Sequence, residues 1–465
     1  MNSELRTSNI TDTIAAIATP PGEGGIAVVR LSGKESFGIA GKIFYRDKGL
    51  AHGFDPASAE SHSVHFGFIA GAGKLLDEGL LTLFKSPHSY TGEDVIEISC
   101  HGGSYIASKL LTKLIGEGAR LATPGEFTKR AFLNGKLDLS QAEAVADLIR
   151  SKTESAHASS LRQLEGELSG FVKQARAELI RITSLVELEL DFAEEGLEFV
   201  GKEEILKLIE TLSKRIREII STYIAGKIIR EGVTLVIAGK PNSGKSSLFN
   251  KLLAQDRAIV SGIPGTTRDY LEESVVIEGV LFRLTDTAGI RTSGDEIESE
   301  GIQRSFKKIA DADLTLYLID SQTAGDDLKL ELQNFSEKFS GKNSILVFSK
   351  SDLAGKAEHP DGVRVSVYDD ASVNDLRKIM KAKAFEKEVN VNSSEIILTN
   401  FRHKQCLENV LASLESASRS AEEGMSGEFI SVDLRSAMSH LGEITGEVTN
   451  DEILNNIFSS FCIGK

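Results

Sequence analysis

A glycine-rich segment at residues 239–247, GKPNSGKSS, directly follows the apolar run VTLVIAG at 233–239. The segment fits the pattern G-x-x-x-x-G-K-S, in which glycines let backbone N–H groups turn toward phosphates at the start of a helix. Lys245 can neutralise the β- and γ-phosphates, and the Ser246 hydroxyl can bind Mg²⁺. A chance glycine turn would lack this strand-to-helix context, so the motif predicts a nucleoside triphosphate site.

Two further motifs follow in the order expected for a switch-type NTPase. The run GTTRD at 265–269 offers the Thr267 hydroxyl as a second ligand for Mg²⁺. The run DTAG at 286–289 ends an apolar strand, so the Asp286 carboxylate can hold a metal-bound water. The Gly289 N–H can then face the γ-phosphate. Together with the phosphate loop, these motifs predict a Mg²⁺-dependent NTPase.

Guanine is the predicted base because SKSD at 349–352 ends another apolar strand. Asp352 can accept hydrogen bonds from the N1–H and 2-amino groups of guanine, a pair of donors that adenine lacks. Ser349 stands where this motif usually has Asn, and its hydroxyl reaches less far than an amide. We therefore expect one contact to be weaker by about 1 kcal/mol. A second base-side loop is expected near Ser366.

The motifs do not identify the group that orients the attacking water. Ras-like proteins place a Gln directly after D-x-x-G, whereas this chain has Ile290, which has no polar side-chain atom. The acidic segment GDEIESEG at 294–301 contains four candidates, and charge alone does not choose among them. Each is also typical of a solvated helix or loop face. These candidates are Asp295, Glu296, Glu298 and Glu300.

The distribution of prolines and apolar residues predicts the elements that position these motifs. Five of the eight prolines lie before residue 125, among short β-rich runs, and none lies between Pro124 and Pro241 or after Pro360. The proline-free windows carry apolar residues every three or four positions, at 161–192, 202–224 and about 401–463, which is typical of helices. Between them, apolar strands alternate with helix-like stretches, which is typical of a parallel doubly wound sheet.

We therefore expect a mixed α/β and α protein in which a G domain is inserted into a helical domain. A small α+β domain precedes both. The predicted boundaries are 1–124 for the N-terminal α+β domain, 125–228 for the first helical part, 229–384 for the inserted G domain, and 385–465 for the second helical part.

Composition favours a globular protein of a reducing compartment. The chain has 465 residues, 41% hydrophobic and 26% charged, with three cysteines and no basic, apolar leader at its N-terminus. We expect a cytoplasmic location, with no membrane partner. The formal charge of −15 argues against non-specific coating of nucleic acid. Residues 120–136 nevertheless carry four bases and one acid, so the charge balance is local.

Several blocks of the sequence closely resemble the MnmE (TrmE) family of tRNA-modification GTPases. Besides the motifs above, the resemblance rests on these segments: ATPPGEGGIAVVRLSG (18–33), YTGEDVIEISCHGG (90–103), TPGEFTKRAFLNGKLDLSQAEAVADLI (123–149), LGEITGEV and the terminal IFSSFCIGK. It covers nearly the whole chain. It implies an N-terminal dimerisation domain related to folate-binding domains, a discontinuous helical domain and an inserted Ras-like G domain.

The resemblance also implies a specific activity. Members are potassium-activated GTPases that work with the FAD-dependent flavoprotein MnmG. Together they form a carboxymethylaminomethyl or aminomethyl group at C5 of the wobble uridine of certain tRNAs. A tetrahydrofolate derivative, such as 5-formyltetrahydrofolate, supplies the one-carbon unit. The expected ligands are thus GTP, Mg²⁺, K⁺ and folate, and the expected partners are a second copy of the chain, MnmG in a heterotetramer or larger complex, and tRNA.

Residue by residue, the resemblance assigns roles that the motifs alone leave open. Glu298 matches the catalytic Glu that acts on the attacking water, and Cys462 belongs to the C-x-G-K ending implicated in the modification reaction. The potassium ligands would be Asn242, Ser261, Ile263 and Thr266, and the magnesium ligands Ser246 and Thr267. The folate contacts would be Arg30, Glu97, Lys136 and Lys465. The GTP contacts would be Asn242, Ser243, Gly244, Lys245, Ser246, Ser247, Ser261, Gly262, Ile263, Pro264, Gly265, Thr266, Thr267, Asp286, Thr287, Ala288, Gly289, Ser349, Lys350, Asp352 and Ser366.

Two alternative functions fit the sequence less well. A GTP-gated ribosome-assembly factor would share the phosphate loop, but it would need a basic RNA-binding domain, and the segment after the G domain is not basic. A folate-dependent transferase acting alone is disfavoured, because the sequence has no flavin-binding fingerprint or redox cysteine pair.

Overall fold

The structure is a computed structural model that describes most of the chain. It describes residues 12–71, 73–191, 202–256, 272–285, 312–339, 343–353, 362–385 and 396–465. The chain forms two compact units. The first consists of Met1–Ala146, Arg162–Leu212 and Cys406–Lys465, and the second of Asp147–Leu161 and Ser213–Gln405.

The elements follow one another from an α+β region through helices to an α/β region and back to helices. The strands are β1 (Ile14–Ile17), β2 (Ile26–Ser32), β3 (Phe44–Tyr45), β4 (Ser63–Gly71), β5 (Lys74–Phe84), β6 (Val95–His101), β7 (Arg120–Leu121), β8 (Val233–Gly239), β9 (Glu272–Ile277), β10 (Val280–Thr285), β11 (Leu314–Asp320), β12 (Ser344–Ser349) and β13 (Val363–Arg364). The helices are α1 (Ser36–Gly41), α2 (Ser104–Gly116), α3 (Glu126–Leu133), α4 (Leu139–Arg150), α5 (Glu154–Leu164), α6 (Glu167–Asp191), α7 (Lys202–Ser221), α8 (Tyr223–Glu231), α9 (Lys245–Asp256), α10 (Gly325–Phe339), α11 (Asp370–Ala384), α12 (Phe401–Glu422), α13 (Gly427–Thr445) and α14 (Asp451–Ser459).

The first unit contains a sheet in the order β3-β4-β5-β6-β2-β1-β7. All neighbouring pairs are antiparallel except β1 with β7. Val29 and Ile98 belong to a buried cluster that also contains Leu110 and Leu114 of α2. Because side chains alternate along a strand, the neighbouring residues of β2 and β6 lie on the opposite face of the sheet.

A pair of long helices, α6 and α13, packs together in the same unit. Phe171 and Leu179 of α6 and Leu434 and Leu441 of α13 are at most 3% exposed. They lie on the helical spacing that buries one stripe of each helix. Glu187 of α6 accepts hydrogen bonds from Ser431 and Arg435 of α13.

The helical pattern across 161–192 is divided between two helices. Helix α5 ends at Leu164 and α6 begins at Glu167, with Gly166 between them at a φ of +92°. This left-handed conformation suits glycine and ends a right-handed helix. The apolar spacing continues through the break, but Leu161 before it is exposed, whereas Leu168, Phe171 and Val172 after it are buried.

The second unit contains a sheet in the order β13-β12-β11-β8-β10-β9. Every neighbouring pair is parallel except β9 with β10. One buried cluster joins its strands to Leu248 of α9 and Leu376 of α11, and a second cluster contains Phe339 of α10. Helices on both faces of a mostly parallel sheet confirm the doubly wound prediction.

Candidate nucleotide and cofactor sites

The predicted phosphate loop connects the carboxyl end of β8 to the start of α9. Gly239 and Gly244 have φ angles of +141° and +86°, and a Cβ added to Gly239 would lie 2.3 Å from the Leu318 carbonyl oxygen. Asn242 also has a positive φ, +63°, which Asn adopts more readily than most residues. The loop conformation therefore depends on these residue types, and it leads into a helix N-terminus that favours anions.

Lys245, the predicted phosphate-contacting lysine, is the first residue of α9, and its side chain contacts the loop. Its Nζ donates to the carbonyl oxygens of Gly239, at 2.9 Å, and Lys240, at 2.6 Å. Ser246 and Ser247 follow in the first turn of α9, and both are exposed. This arrangement gives a cation, two hydroxyls and a helix N-terminus at one place, which is suited to a polyphosphate.

A buried carboxylate anchors the second residue of the loop. The Lys240 Nζ lies 2.9 Å from Glu331 Oε1, and the Tyr317 hydroxyl donates to Glu331 Oε2 at 2.8 Å. Glu331 belongs to α10 and is only 3% exposed. The hydrogen bond to Glu331 raises the pKa of Lys240. Burial, with a further contribution from Glu331, raises the pKa of Tyr317. Sequence reasoning missed this anchor, although residue 331 lies beside the apolar stripe of α10.

The predicted base-reading residues line a cavity of about 280 Å³. Its lining includes Gly244, Lys350, Asp352 and Tyr368. The Asp352 Oδ1 accepts a hydrogen bond of 2.7 Å from the Ser366 hydroxyl, so the two predicted base-side loops meet here. A purine base fits a cavity of this kind, with the Asp352 carboxylate available to N–H donors.

Ser349 connects the base-reading strand to the phosphate loop. Its hydroxyl donates to the Ser243 carbonyl oxygen at 2.7 Å, with the Ile319 carbonyl oxygen at 3.2 Å, and the residue is 6% exposed. We expected Ser349, in place of Asn, to weaken one contact to the nucleotide. In the structure its hydroxyl instead bonds directly to the phosphate loop. Next to it, Lys350 pairs with Asp320 at 2.7 Å.

Two residues of the second predicted set, Arg30 and Glu97, pair on one face of the first sheet. Arg30 of β2 and Glu97 of β6 are directly opposite in the strand register. Glu97 Oε1 lies 2.8 Å from Arg30 Nε and 2.7 Å from Arg30 Nη2. The Tyr90 and Phe127 rings each lie 5.6 Å from the guanidinium carbon, a cation–π distance. Neither aromatic residue was among the predicted contacts.

The C-terminus reaches the same pair. Arg30 Nη1 donates to the Gly464 carbonyl oxygen at 3.4 Å. Partial burial of the Lys465 ammonium lowers its pKa, and the nearby Arg30 charge lowers it further, whereas Glu97 and Cys462 act in the opposite direction. Of the three cysteines, Cys462 is exposed and the other two are buried. Residues more than 360 positions apart therefore share one site.

Lys136 has a different hydrogen-bond partner. Its Nζ donates to the Pro87 carbonyl oxygen at 3.2 Å. In the part of the chain that the structure describes, it makes no hydrogen bond or ion pair with Arg30, Glu97 or Lys465. Its predicted role as a folate contact thus remains a prediction.

Twelve predicted site residues lie outside the described residues. They fall in the stretches 257–271 and 286–311. They are Ser261, Gly262, Ile263, Pro264, Gly265, Thr266, Thr267, Asp286, Thr287, Ala288, Gly289 and Glu298.

Comparison with known proteins identifies the family. A family model described as "MnmE helical domain" matches residues 139–462, and one described as "GTP-binding protein TrmE N-terminus" matches residues 13–136. The protein named tRNA modification GTPase MnmE from Flavobacterium psychrophilum is 41% identical over 98% of this chain and 99% of its own. The chain belongs to the MnmE family. The proteins of the same name from Chlorobaculum tepidum, at 42% identity, and Chlorobium phaeovibrioides, at 40%, cover 97% and 100% of this chain and the same shares of their own. As a member of this family, the chain is a GTP-binding GTP hydrolase that acts in tRNA modification.

MnmE membership confirms the predicted fold class: a TrmE-type N-terminal domain, a helical domain and a Ras-like G domain. Solved structures match weakly; the FeoB G domain from Methanococcus jannaschii covers 33% of this chain and 97% of its own at 23% identity, with a TM-score of 0.24. Among the described helices, none has both the length and the apolar character needed to cross a membrane. Within the same residues, no cluster of three or more His, Cys, Asp or Glu side chains could hold a metal ion.

Proposed function

We propose that this MnmE-family chain is a potassium-activated GTPase that acts with the flavoprotein MnmG on tRNA. The pair forms a carboxymethylaminomethyl or aminomethyl group at C5 of the wobble uridine, using a one-carbon unit from a tetrahydrofolate derivative. The observation that carries the proposal is that Arg30, Glu97 and Lys465, which the family resemblance assigns to folate, lie close together.

The G domain supports GTP and Mg²⁺ binding through its own residues. Lys245 and the start of α9 would hold the phosphates, the Ser246 hydroxyl would ligate Mg²⁺, and Asp352 would select guanine. Asn242 is exposed on the same loop and supplies an amide oxygen of the type that binds K⁺. A monovalent cation there would balance charge that develops between the β- and γ-phosphates, as an arginine finger does in other GTPases. Glu298 would then orient the water.

The residues at the sheet face fit a folate. Glu97 Oε1 is engaged by Arg30, and no described residue donates to its Oε2, which can accept hydrogen bonds from a pterin N–H edge. The half-buried Lys465 ammonium and the Arg30 guanidinium would attract the glutamyl carboxylates. The folate, when bound, supplies the one-carbon unit. Arg30, Glu97 and Lys465 would bind and orient it.

A second copy of the chain would cover the apolar part of the same face. Ile26, Val64, Phe66 and Leu80 are 66%, 57%, 62% and 42% exposed. Phe66 and Leu80 are cross-strand partners, and Ile26 lies two strands away in the same sheet. This exposed apolar surface supports the proposed homodimer. We place the complex in the cytoplasm, where its tRNA substrate is available.

Two measurements on the purified full chain test the GTPase part. GTP turnover should be much faster in potassium than in sodium at equal ionic strength, and equal rates would remove the potassium requirement. Glu298→Gln should bind GTP normally and hydrolyse it slowly; an unchanged single-turnover rate would remove the catalytic role of Glu298. Calorimetric titration with 5-formyltetrahydrofolate tests the folate site, and no binding by the wild-type chain would exclude it.

A further inference from the structure

The C-terminal tail, defined here as residues 458–465, begins with two buried aromatic side chains. Phe458 and Phe461 are 2% and 7% exposed, and they pack with Leu139, Ala142 and Leu454 in one cluster. Beyond Phe461 the side chains are less buried, with Cys462 and Ile463 exposed. Apolar burial therefore fixes the start of the tail, and another interaction must fix its end.

Backbone packing at Gly464 holds the end of the tail. Gly464 has a φ of +97°, and a Cβ built on it would lie 2.4 Å from the Ile17 carbonyl oxygen and 3.0 Å from the Ala18 Cα. Real Cβ atoms do not approach a backbone oxygen this closely. The tail can therefore lie against the end of β1 only if residue 464 has no side chain.

Two hydrogen bonds accompany this contact. The Gly464 carbonyl oxygen accepts from Arg30, and the Cys462 carbonyl oxygen accepts from the Gly125 N–H at 3.4 Å. Gly125 must also lack a side chain, since a Cβ there would lie 2.6 Å from the Phe458 carbonyl oxygen. The tail is thus enclosed by β1, β2 and the start of α3.

We propose that Gly464 is a positioning residue, whose missing side chain lets the tail close against β1 and so holds Lys465 beside Arg30 and Glu97. The docking itself rests on the steric fit at Gly464 and the contacts around it, and it does not depend on folate. Its consequence for folate rests on the proposed function, because the ammonium contributes to that site only while the tail is docked.

Release of the terminal lysine by carboxypeptidase B tests the docking in the full chain. Gly464→Ala should release Lys465 about tenfold faster or more than wild type, since alanine in a left-handed conformation is disfavoured by about that factor even before the clash. Rates are divided by those of denatured protein, which corrects for the changed peptide sequence. Gly424→Ala is the matched control: its φ is +65° and its Cβ would meet nothing within 4 Å, so release should stay at the wild-type rate.

A second readout follows the tail without a protease. Cys462 is the exposed cysteine, so a trifluoromethyl thiol label should react there in preference to the buried Cys100 and Cys406. The ¹⁹F resonance should be broad in wild type and in Gly424→Ala and should sharpen in Gly464→Ala. Equal release rates and equal line widths in all three proteins would overturn the proposal.

Folate titration distinguishes a failure of the tail docking from a failure of the proposed folate function. If wild type binds 5-formyltetrahydrofolate, Gly464→Ala should lose affinity to the same extent as a chain that lacks Lys465. If wild type binds no folate but Gly464→Ala still frees the tail, the docking is supported and the folate function fails. If wild type binds folate and Gly464→Ala binds it equally well, the positioning role is refuted.

Discussion

Replacing Ser349 with Ala should weaken nucleotide binding, because the hydroxyl joins the base-reading strand to the phosphate loop. The bond to the Ser243 carbonyl oxygen is 2.7 Å long, and Ser349 is 6% exposed. A buried hydrogen bond contributes about 1 kcal/mol net, and leaving its acceptor without a donor costs about 1–3 kcal/mol. We expect a loss of about 1–2 kcal/mol, which corresponds to a Kd for GDP roughly 5- to 30-fold higher.

The assay is equilibrium titration with a fluorescent GDP analogue at fixed Mg²⁺, together with thermal unfolding. Ser321→Ala provides the matched control. Ser321 directly follows the neighbouring strand β11, is buried, and its hydroxyl has no hydrogen-bond partner among the described residues. This control should therefore bind GDP like wild type. A Kd for Ser349→Ala within twofold of wild type would refute the reasoning, because the bond would then contribute nothing to the loop.

Three further changes test other parts of the structure. Glu331→Gln removes the anion that holds Lys240, so GDP affinity should fall while thermal unfolding stays cooperative. Unchanged GDP affinity would show that the Lys240–Glu331 pair does not support the phosphate loop. Burial opposes ionisation of Glu126, but hydrogen bonds from Arg120 and others outweigh it and lower the Glu126 pKa from 4.5 to about 2. The stability that the ionised Glu126 contributes is present above pH 4.5 and is lost as the pH falls toward 2. The unfolding free energy of Glu126→Gln should therefore fall less than that of wild type between pH 4.5 and 2, and an equal fall in both proteins would contradict this prediction. Phe458→Ala should lower the unfolding free energy by about 3–5 kcal/mol, measured by urea titration, because the side chain is 2% exposed; a loss below about 1 kcal/mol would show that the cluster repacks.

The parallel sheet of the second unit was predictable because three of its strands are largely apolar runs. The runs at 233–239, 314–320 and 344–349 coincide with β8, β11 and β12. A strand buried on both faces leaves this signal in the sequence. The phosphate loop followed from its position after such a strand.

The breaks between helices were less predictable. The apolar spacing from Leu161 to Val172 passes through Gly166 without interruption, so the spacing does not distinguish one helix from two. A glycine within a helical pattern is tolerated at modest cost, so its presence alone does not mark a boundary. Only the φ of +92° shows that this glycine ends a helix.

The site on the first sheet required long-range information. Arg30 and Glu97 are cross-strand neighbours, but their pairing depends on the register of strands separated by 67 positions, which periodicity does not specify. By spacing alone, both would be ordinary charges on a strand face. The Tyr90 and Phe127 rings beside Arg30 had no distinguishing sequence signal, because an aromatic residue next to a strand is most often part of a core.

Analysis of tRNA nucleosides tests most directly whether this chain takes part in modifying the wobble uridine. Total tRNA from a strain that lacks this gene would be digested and compared by liquid chromatography and mass spectrometry with tRNA from the parent and from a strain carrying the gene on a plasmid. We predict that the C5-aminomethyl-type modification of the wobble uridine disappears in the deletion strain and returns with the plasmid. Normal wobble uridines in the deletion strain would contradict the account and would favour a ribosome-assembly role for the GTPase.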